Sequence, residues 1–179
     1  EIFKAYDIRG IVDKSLTIEA ARQIGQALGS EAREKGLKSI VVGRDGRLSG
    51  PSLVAALSEG IVGTGIDVVD IGCVPTPVTY FAAHQLKVDG CVSVTGSHNP
   101  PDYNGFKMVL GGETLFAERI QALRRRIEDG RFASGHGKLT HAEVDQAYLQ
   151  RIVDHVDGVK LSRPMKIVVD SGNGIPGAS

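Results

Sequence analysis

Neither sign of charge is in surplus in this sequence. Its 21 Lys and Arg balance 21 Asp and Glu, so no global field draws the chain to nucleic acid or to an anionic membrane, and any phosphate binding has to come from local clusters. Long apolar runs are missing too: nothing approaches the roughly 20 residues of a membrane span, and no charged-then-apolar signal segment opens the chain. Cysteine is scarce. Cys73 and Cys91 both adjoin apolar, strand-like runs, where buried free thiols are expected, and no spacing resembles a set of metal ligands. These absences lead us to expect a cytoplasmic protein with no nucleic-acid and no membrane partner. Glu1-Ile2 opens the chain without a methionine and Ala178-Ser179 closes it just after a new strand and turn, so it is expected to be cut at both ends. Its 179 residues fit one large or two small domains.

What is present is an alternation of short apolar runs with helical periodicities. Residues 2–12 alternate as an antiparallel edge strand with a turn. Thr17 is placed to cap a helix running to Glu34 or Lys35, with Gly36 to end it. A strand is expected over 38–43 and a helix over 53–62 with Pro51 in its first turn. A strand over 66–72, a helix over 78–86 and a central strand from Gly90 ending at Ser97 follow. A returning strand spans 104–112, an amphipathic helix 117–127, a polar stretch 130–137, a helix 141–156, and a fresh strand with a Gly-rich turn 166–177. Strand-helix-strand units over such lengths predict a mixed, largely parallel sheet between helices. The run from Lys166 echoes Ser39-Ile40-Val41-Val42, with Gly50 ten residues after Ile40 and Gly177 ten after Ile167, and is read as the start of a second similar α/β domain. The boundary is expected at 142, with residues 1–142 as the first domain and 143–179 as a linker helix and a truncated second domain.

Chemistry-bearing residues gather at the strand ends. Val92 and Val94 lead into Thr95-Gly96-Ser97-His98-Asn99-Pro100-Pro101, where Gly96 is read as the residue that permits the turn and the prolines stiffen the exit. In open α/β sheets ligands sit beyond the carboxyl ends of strands, so Ser97, His98 and Asn99 form a site candidate. A polar turn closed by an Asn99 side-chain bond is an equal alternative. The loop Arg44-Asp45-Gly46-Arg47 sets two arginines beside a helix N-terminus, a possible anion site, although Asp45 pairing with Arg44 or Arg47 to shape the loop carries equal weight. A Ser-His hydrolase is disfavoured, because adjacent side chains in an extended loop point apart and Asn99 stands where a Gly-x-Ser-x-Gly elbow has its last glycine. The run Gly172-Asn173-Gly174-Ile175-Pro176-Gly177 meets a nucleotide-binding spacing only with a proline inside it and no acid downstream. Arg124-Arg125-Arg126 is read as a solvated face, its charge cancelled by Glu118, Glu128 and Asp129.

The set Thr95-Gly96-Ser97-His98-Asn99-Pro100, Asn104-Gly105-Phe106-Lys107, Phe3-Lys4-Ala5-Tyr6-Asp7-Ile8-Arg9-Gly10 and Gly43-Arg44-Asp45-Gly46-Arg47 closely resembles the α-D-phosphohexomutase family, nearest its bacterial phosphomannomutase/phosphoglucomutase members. The resemblance covers essentially the whole chain. It implies that Ser97 carries a phosphoryl group and that hexose 1-phosphate and hexose 6-phosphate, of mannose or glucose, are interconverted through a hexose 1,6-bisphosphate. By the same resemblance Ser97, Lys107, Arg9 and His98 are expected in catalysis, and Tyr6, Arg9, Asn99 and Lys107 in substrate binding. Mg2+ is expected on the phosphate of Ser97, its other ligands and further domains of the same polypeptide lying outside this chain, which by itself is expected to be inactive. The rival is a non-catalytic domain that binds a phosphosugar through the same loop. The choice among mannose, glucose and N-acetylglucosamine is left open.

Overall fold

Thr17 begins the first helix as its residue type predicts: its Oγ1 accepts the Ala20 amide at 3.1 Å, and Gly36 takes the left-handed backbone that ends it. From there a computed structural model, which describes residues 1–156, 162–172 and 174–178, gives the order β1 (Ile8–Ile11), α1 (Ile18–Glu34), β2 (Ser39–Arg44), α2 (Gly50–Val62), β3 (Asp67–Cys73), α3 (Thr76–Gln85), β4 (Gly90–Val94), β5 (Tyr103–Leu110), β6 (Glu113–Thr114), α4 (Glu118–Glu128), β7 (Leu139–His141) and α5 (Asp145–Val156). The seven strands form one sheet in the order β1-β5-β4-β2-β3-β7, with β6 also on β5. β2, β3, β4 and β7 are mutually parallel, and β5 alone runs against the rest, pairing antiparallel with β1, β4 and β6. The mixed α/β sheet expected from the sequence is therefore observed.

Helices cover both faces, which is why all five residues of β4 are buried and why its side chains read as an apolar run rather than an alternation. On one face Ile40, Val42, Val92, Val94, Phe106 and Met108 pack against Ile24, Leu28, Leu53, Leu57 and Ile120 of α1, α2 and α4. On the other, Val41 and Cys91 meet Val78 and Ala82 of α3 and Val144 just before α5, and the rings of Phe81 and Tyr148 meet edge to face at 5.3 Å. α1 and α2 approach closely enough that glycine is required at their crossing: a Cβ on Gly25 would lie 2.2 Å from the Leu57 carbonyl oxygen, and one on Gly60 would lie 2.1 Å from that of Arg22.

Several expectations are corrected. The helix foreseen from His141 starts at Asp145, because Leu139, Thr140 and His141 form β7 beside Val68, Val69 and Asp70 of β3. No strand forms over 166–169, where Ile167, Val168 and Val169 stand exposed; an apolar run needs a partner edge to become a strand. Cys91 is buried, and burial pushes its thiol up to about 12, but Cys73 is exposed, at the last residue of β3 where the register against β2 slips. The consecutive arginines of α4 are paired, Arg124 with Glu128, Arg125 with Glu118 and Arg126 with Glu34. Asp129 pairs with Arg131 instead.

Candidate active site

The chain leaves β4 at its carboxyl end and turns through residues 95–102 before returning as β5. Ser97 is exposed on this loop and has φ 53°, a left-handed backbone that non-glycine residues adopt only when their surroundings enforce it. Its amide donates to Thr95 Oγ1 at 2.9 Å. The Thr95 hydroxyl donates to Asp45 Oδ2 at 2.8 Å, and the Gly96 amide donates to the same oxygen at 3.1 Å. Asn99 folds back, its side-chain amide donating to the Gly96 carbonyl at 2.9 Å. Gly96, expected to supply the unusual backbone angle, does not have one. Glycine stands there for space: a Cβ would lie 2.2 Å from Cζ and Nε of Arg47.

Arg47 resolves the two readings of its loop. Its Nη1 donates to the carbonyls of Pro100 at 2.6 Å and Tyr103 at 3.0 Å, and its Nη2 to those of Ser97 at 3.1 Å and Asn99 at 2.7 Å. Asp45 holds it from behind, with Nε 3.4 Å from Oδ2 and the Arg47 amide donating to Oδ1 at 3.0 Å. The Asp45–Arg47 pair thus shapes the serine loop. Arg44 turns away, donating to the Asp45 carbonyl at 3.1 Å. Asn104, fully buried, joins the same knot by donating to Ser49 Oγ at 2.9 Å. Sequence reasoning passed over Thr95 and Asn104, whose roles consist of hydrogen bonds between distant segments; a short polar residue inside an apolar run is the one signal that could have marked them.

His98 Nδ1 lies 3.4 Å from Ser97 Oγ, so the two side chains do not point apart. The left-handed backbone at Ser97 breaks the alternation on which that expectation relied. The contact is long for a hydrogen bond, and among the described residues no carboxylate orients the ring. Arg9 forms an ion pair with Asp7. It sits opposite Gly105 in the β1–β5 register, while Lys107, two residues further along β5, sits opposite Ser93 of β4. Because strand side chains alternate, Arg9, Lys107 and Ser93 share one face of the sheet, the face on which Thr76 Oγ1 of α3 lies 3.1 Å from Ser93 Oγ. Tyr6 is exposed in the turn before β1. A cavity of about 850 Å³ opens beside the loop, lined by Ser97, Asn99, Thr95, Asp45, Arg47 and Ser49 among others; Tyr6, Arg9, His98 and Lys107 are not among its lining residues.

Residues 1–134 match the family model described as phosphoglucomutase/phosphomannomutase, alpha/beta/alpha domain I. The chain belongs to this family. It is 53% identical over 176 residues to a phosphomannomutase/phosphoglucomutase of Pseudomonas aeruginosa, covering 98% of this chain and 37% of that protein. It is 52% identical over 180 residues to a phosphoglucomutase of Neisseria meningitidis serogroup B, covering 99% and 38%. The crystal structure of a phosphoglucomutase/phosphomannomutase family protein from Burkholderia thailandensis superposes with a TM-score of 0.91 at 54% identity, over 99% of this chain and 40% of that one. The chain thus spans well under half the length of these family members.

Among the described residues, no group of three or more His, Cys, Asp and Glu side chains is placed to hold a metal ion. Asp45, the carboxylate that holds the serine loop, is occupied by Thr95, Gly96 and Arg47. The described residues therefore do not by themselves make a metal site. No helix among them is long and apolar enough to cross a membrane.

Proposed function

We propose that this chain is the phosphoserine-bearing part of a cytoplasmic phosphohexomutase, with residues 1–142 as its first domain and 143–179 leading into a second of similar build. The observation that carries the reading is the exposed hydroxyl of Ser97 at the end of the buried strand β4, on a left-handed backbone held by Asp45 and Arg47, in a chain of this family. Phospho-Ser97 transfers its phosphoryl group to a hydroxyl of a hexose monophosphate. The P–O bond to Ser97 breaks, a P–O bond to the sugar forms, and the sugar's proton passes to Ser97 Oγ. The resulting hexose 1,6-bisphosphate reorients and returns its other phosphoryl group to Ser97. Positioning and charge neutralisation supply the rate.

In this reading Lys107 and Arg9 balance phosphate charge and assist proton movement, His98 and Asn99 shape the loop and the hydrogen bonds to phosphate, and Tyr6 contacts the sugar phosphate. A Mg2+ ion on the Ser97 phosphate belongs to the proposal through the family likeness, and Ser97 is the one ligand assigned to it within the chain. The partners are the phosphosugar and further domains of the same polypeptide.

Intact mass of the protein that carries this chain, measured after incubation with a hexose 1,6-bisphosphate, should show one added phosphoryl group that peptide mapping places on Ser97. An unmodified serine in a protein that nevertheless binds the sugar phosphate would favour the non-catalytic binding domain. Lys107→Ala should lower kcat by about 100-fold, the scale of one general acid or base, with KM changed much less. An effect confined to KM would make Lys107 a binding residue only.

A further inference from the structure

A half-buried arginine that spends its guanidinium on main-chain carbonyls is an expensive way to close a loop, and here it closes the loop that carries Ser97. Two nitrogens of Arg47 reach four carbonyls, those of Ser97, Asn99, Pro100 and Tyr103, at 2.6 to 3.1 Å. Those carbonyls bracket the whole turn from Ser97 to the first residue of β5. The third nitrogen, Nε, faces Asp45, whose Oδ2 also accepts the Gly96 amide and the Thr95 hydroxyl. Ser97 therefore has its carbonyl side fixed by Arg47 and its amide side fixed through Thr95 by Asp45. Its left-handed φ of 53° lies between the two attachments. A loop without these attachments would relax that angle to the common region, and the Oγ would then swing away from its present place at the cavity.

We propose that Arg47 is a positioning residue of the phosphoryl-transfer reaction: its guanidinium is taken up by the loop carbonyls and Asp45, and it holds Ser97 in the left-handed backbone that aims Oγ at the incoming phosphosugar. The assignment rests on the mutase reading above and adds to it a residue that acts through another. Its chemical demand is for a planar fork with several donors in fixed directions, so a lysine, with the same charge and one mobile ammonium, does not replace it. The space for the fork is kept by Gly96. An alanine there has no backbone reason to be refused, but its Cβ would occupy the position of the guanidinium.

The test uses Arg47→Lys and Gly96→Ala in the protein that carries this chain. Both should lower kcat by about 10- to 100-fold, as small misplacements of a reacting group do, with KM for the hexose phosphate within about twofold, because uniform binding is left intact. The double variant should cost no more than the worse single one, since both remove the same contact. Amide exchange at Gly96, Ser97 and Asn99 should speed up by about tenfold or more, the scale of one or two lost hydrogen bonds. Wild-type kcat in Arg47→Lys, a loss seen only in KM, or additive effects in the double variant would overturn the proposal. If the wild-type protein shows no mutase turnover, the mutase reading fails, and the exchange rates alone then judge the clamp: faster exchange in both variants supports it, and unchanged exchange refutes it.

Discussion

Ser97→Ala should abolish mutase turnover in the protein that carries this chain, lowering kcat by about a thousandfold or more, because the group proposed to accept and return the phosphoryl is removed rather than misplaced. The fold should survive. Ser97 is exposed, and its Oγ makes a single long contact, to His98, so little packing is lost. Alanine at φ 53° keeps the backbone strain that serine bears. Ser97→Gly removes both the hydroxyl and that strain, since glycine takes positive φ at no steric cost. It should therefore be as inactive as Ser97→Ala while unfolding at an equal or higher temperature. Steady-state kinetics with calorimetry on the two variants read both effects. Turnover near that of the wild type in either one would remove Ser97 from the reaction.

The largest effect on stability is expected from one methyl group. Gly60→Ala in an ordinary helix interior would gain roughly 0.5–1 kcal/mol of backbone entropy and propensity. Here the new Cβ would lie 2.1 Å from the Arg22 carbonyl oxygen and 2.9 Å from the Gln26 amide nitrogen, both in the backbone of α1, which cannot rotate aside as a side chain can. Overpacking of this kind typically costs about 1–3 kcal/mol, and with a helix backbone as the obstacle the upper end applies, so the sign of the usual substitution is reversed. At about 2–4 °C per kcal/mol for chains of 150–250 residues, 3 kcal/mol would lower Tm by roughly 6–12 °C. Gly25→Ala, facing the Leu57 carbonyl from the other helix, should behave alike. A Tm equal to that of the wild type would show that α1 and α2 are not packed at this distance.

How much of this was legible in the residues depended on the kind of interaction. Helix α1 could be read because Thr17 and Gly36 act locally, through a cap and a left-handed turn, and β4 because a strand covered on both faces is apolar throughout. β7 could not be read: Leu139, Thr140 and His141 are three exposed residues, and what makes them a strand is the free edge of β3. The run Ile167-Val168-Val169 has the residues of a strand and lacks a partner among the described residues. In the serine loop the position of Ser97 was legible and its conformation was not, since Gly96 advertised the freedom that Ser97 uses. Arg47 was half legible. Its charge suggested phosphate, but its partners are carbonyl oxygens, which every residue has and no sequence pattern distinguishes.

The lone reversed strand, β5, sets the order in which this site can be assembled. β4 and β5 are an antiparallel pair joined by residues 95–102, so they can meet as a local hairpin early in folding. The bonds from Arg47 to that connection span 50 to 56 positions in the chain and close only after β2 has found β4 across an intervening helix, strand and helix. By loop-closure entropy such a contact costs roughly 1.6 kcal/mol more than the hairpin turn itself, and long-range pairings of this type form late. The hairpin can therefore exist while Ser97 still samples ordinary backbone angles, and its hydroxyl acquires its geometry as one of the last events of folding. A newly made chain whose β2 has not yet docked would hold the serine and not the site.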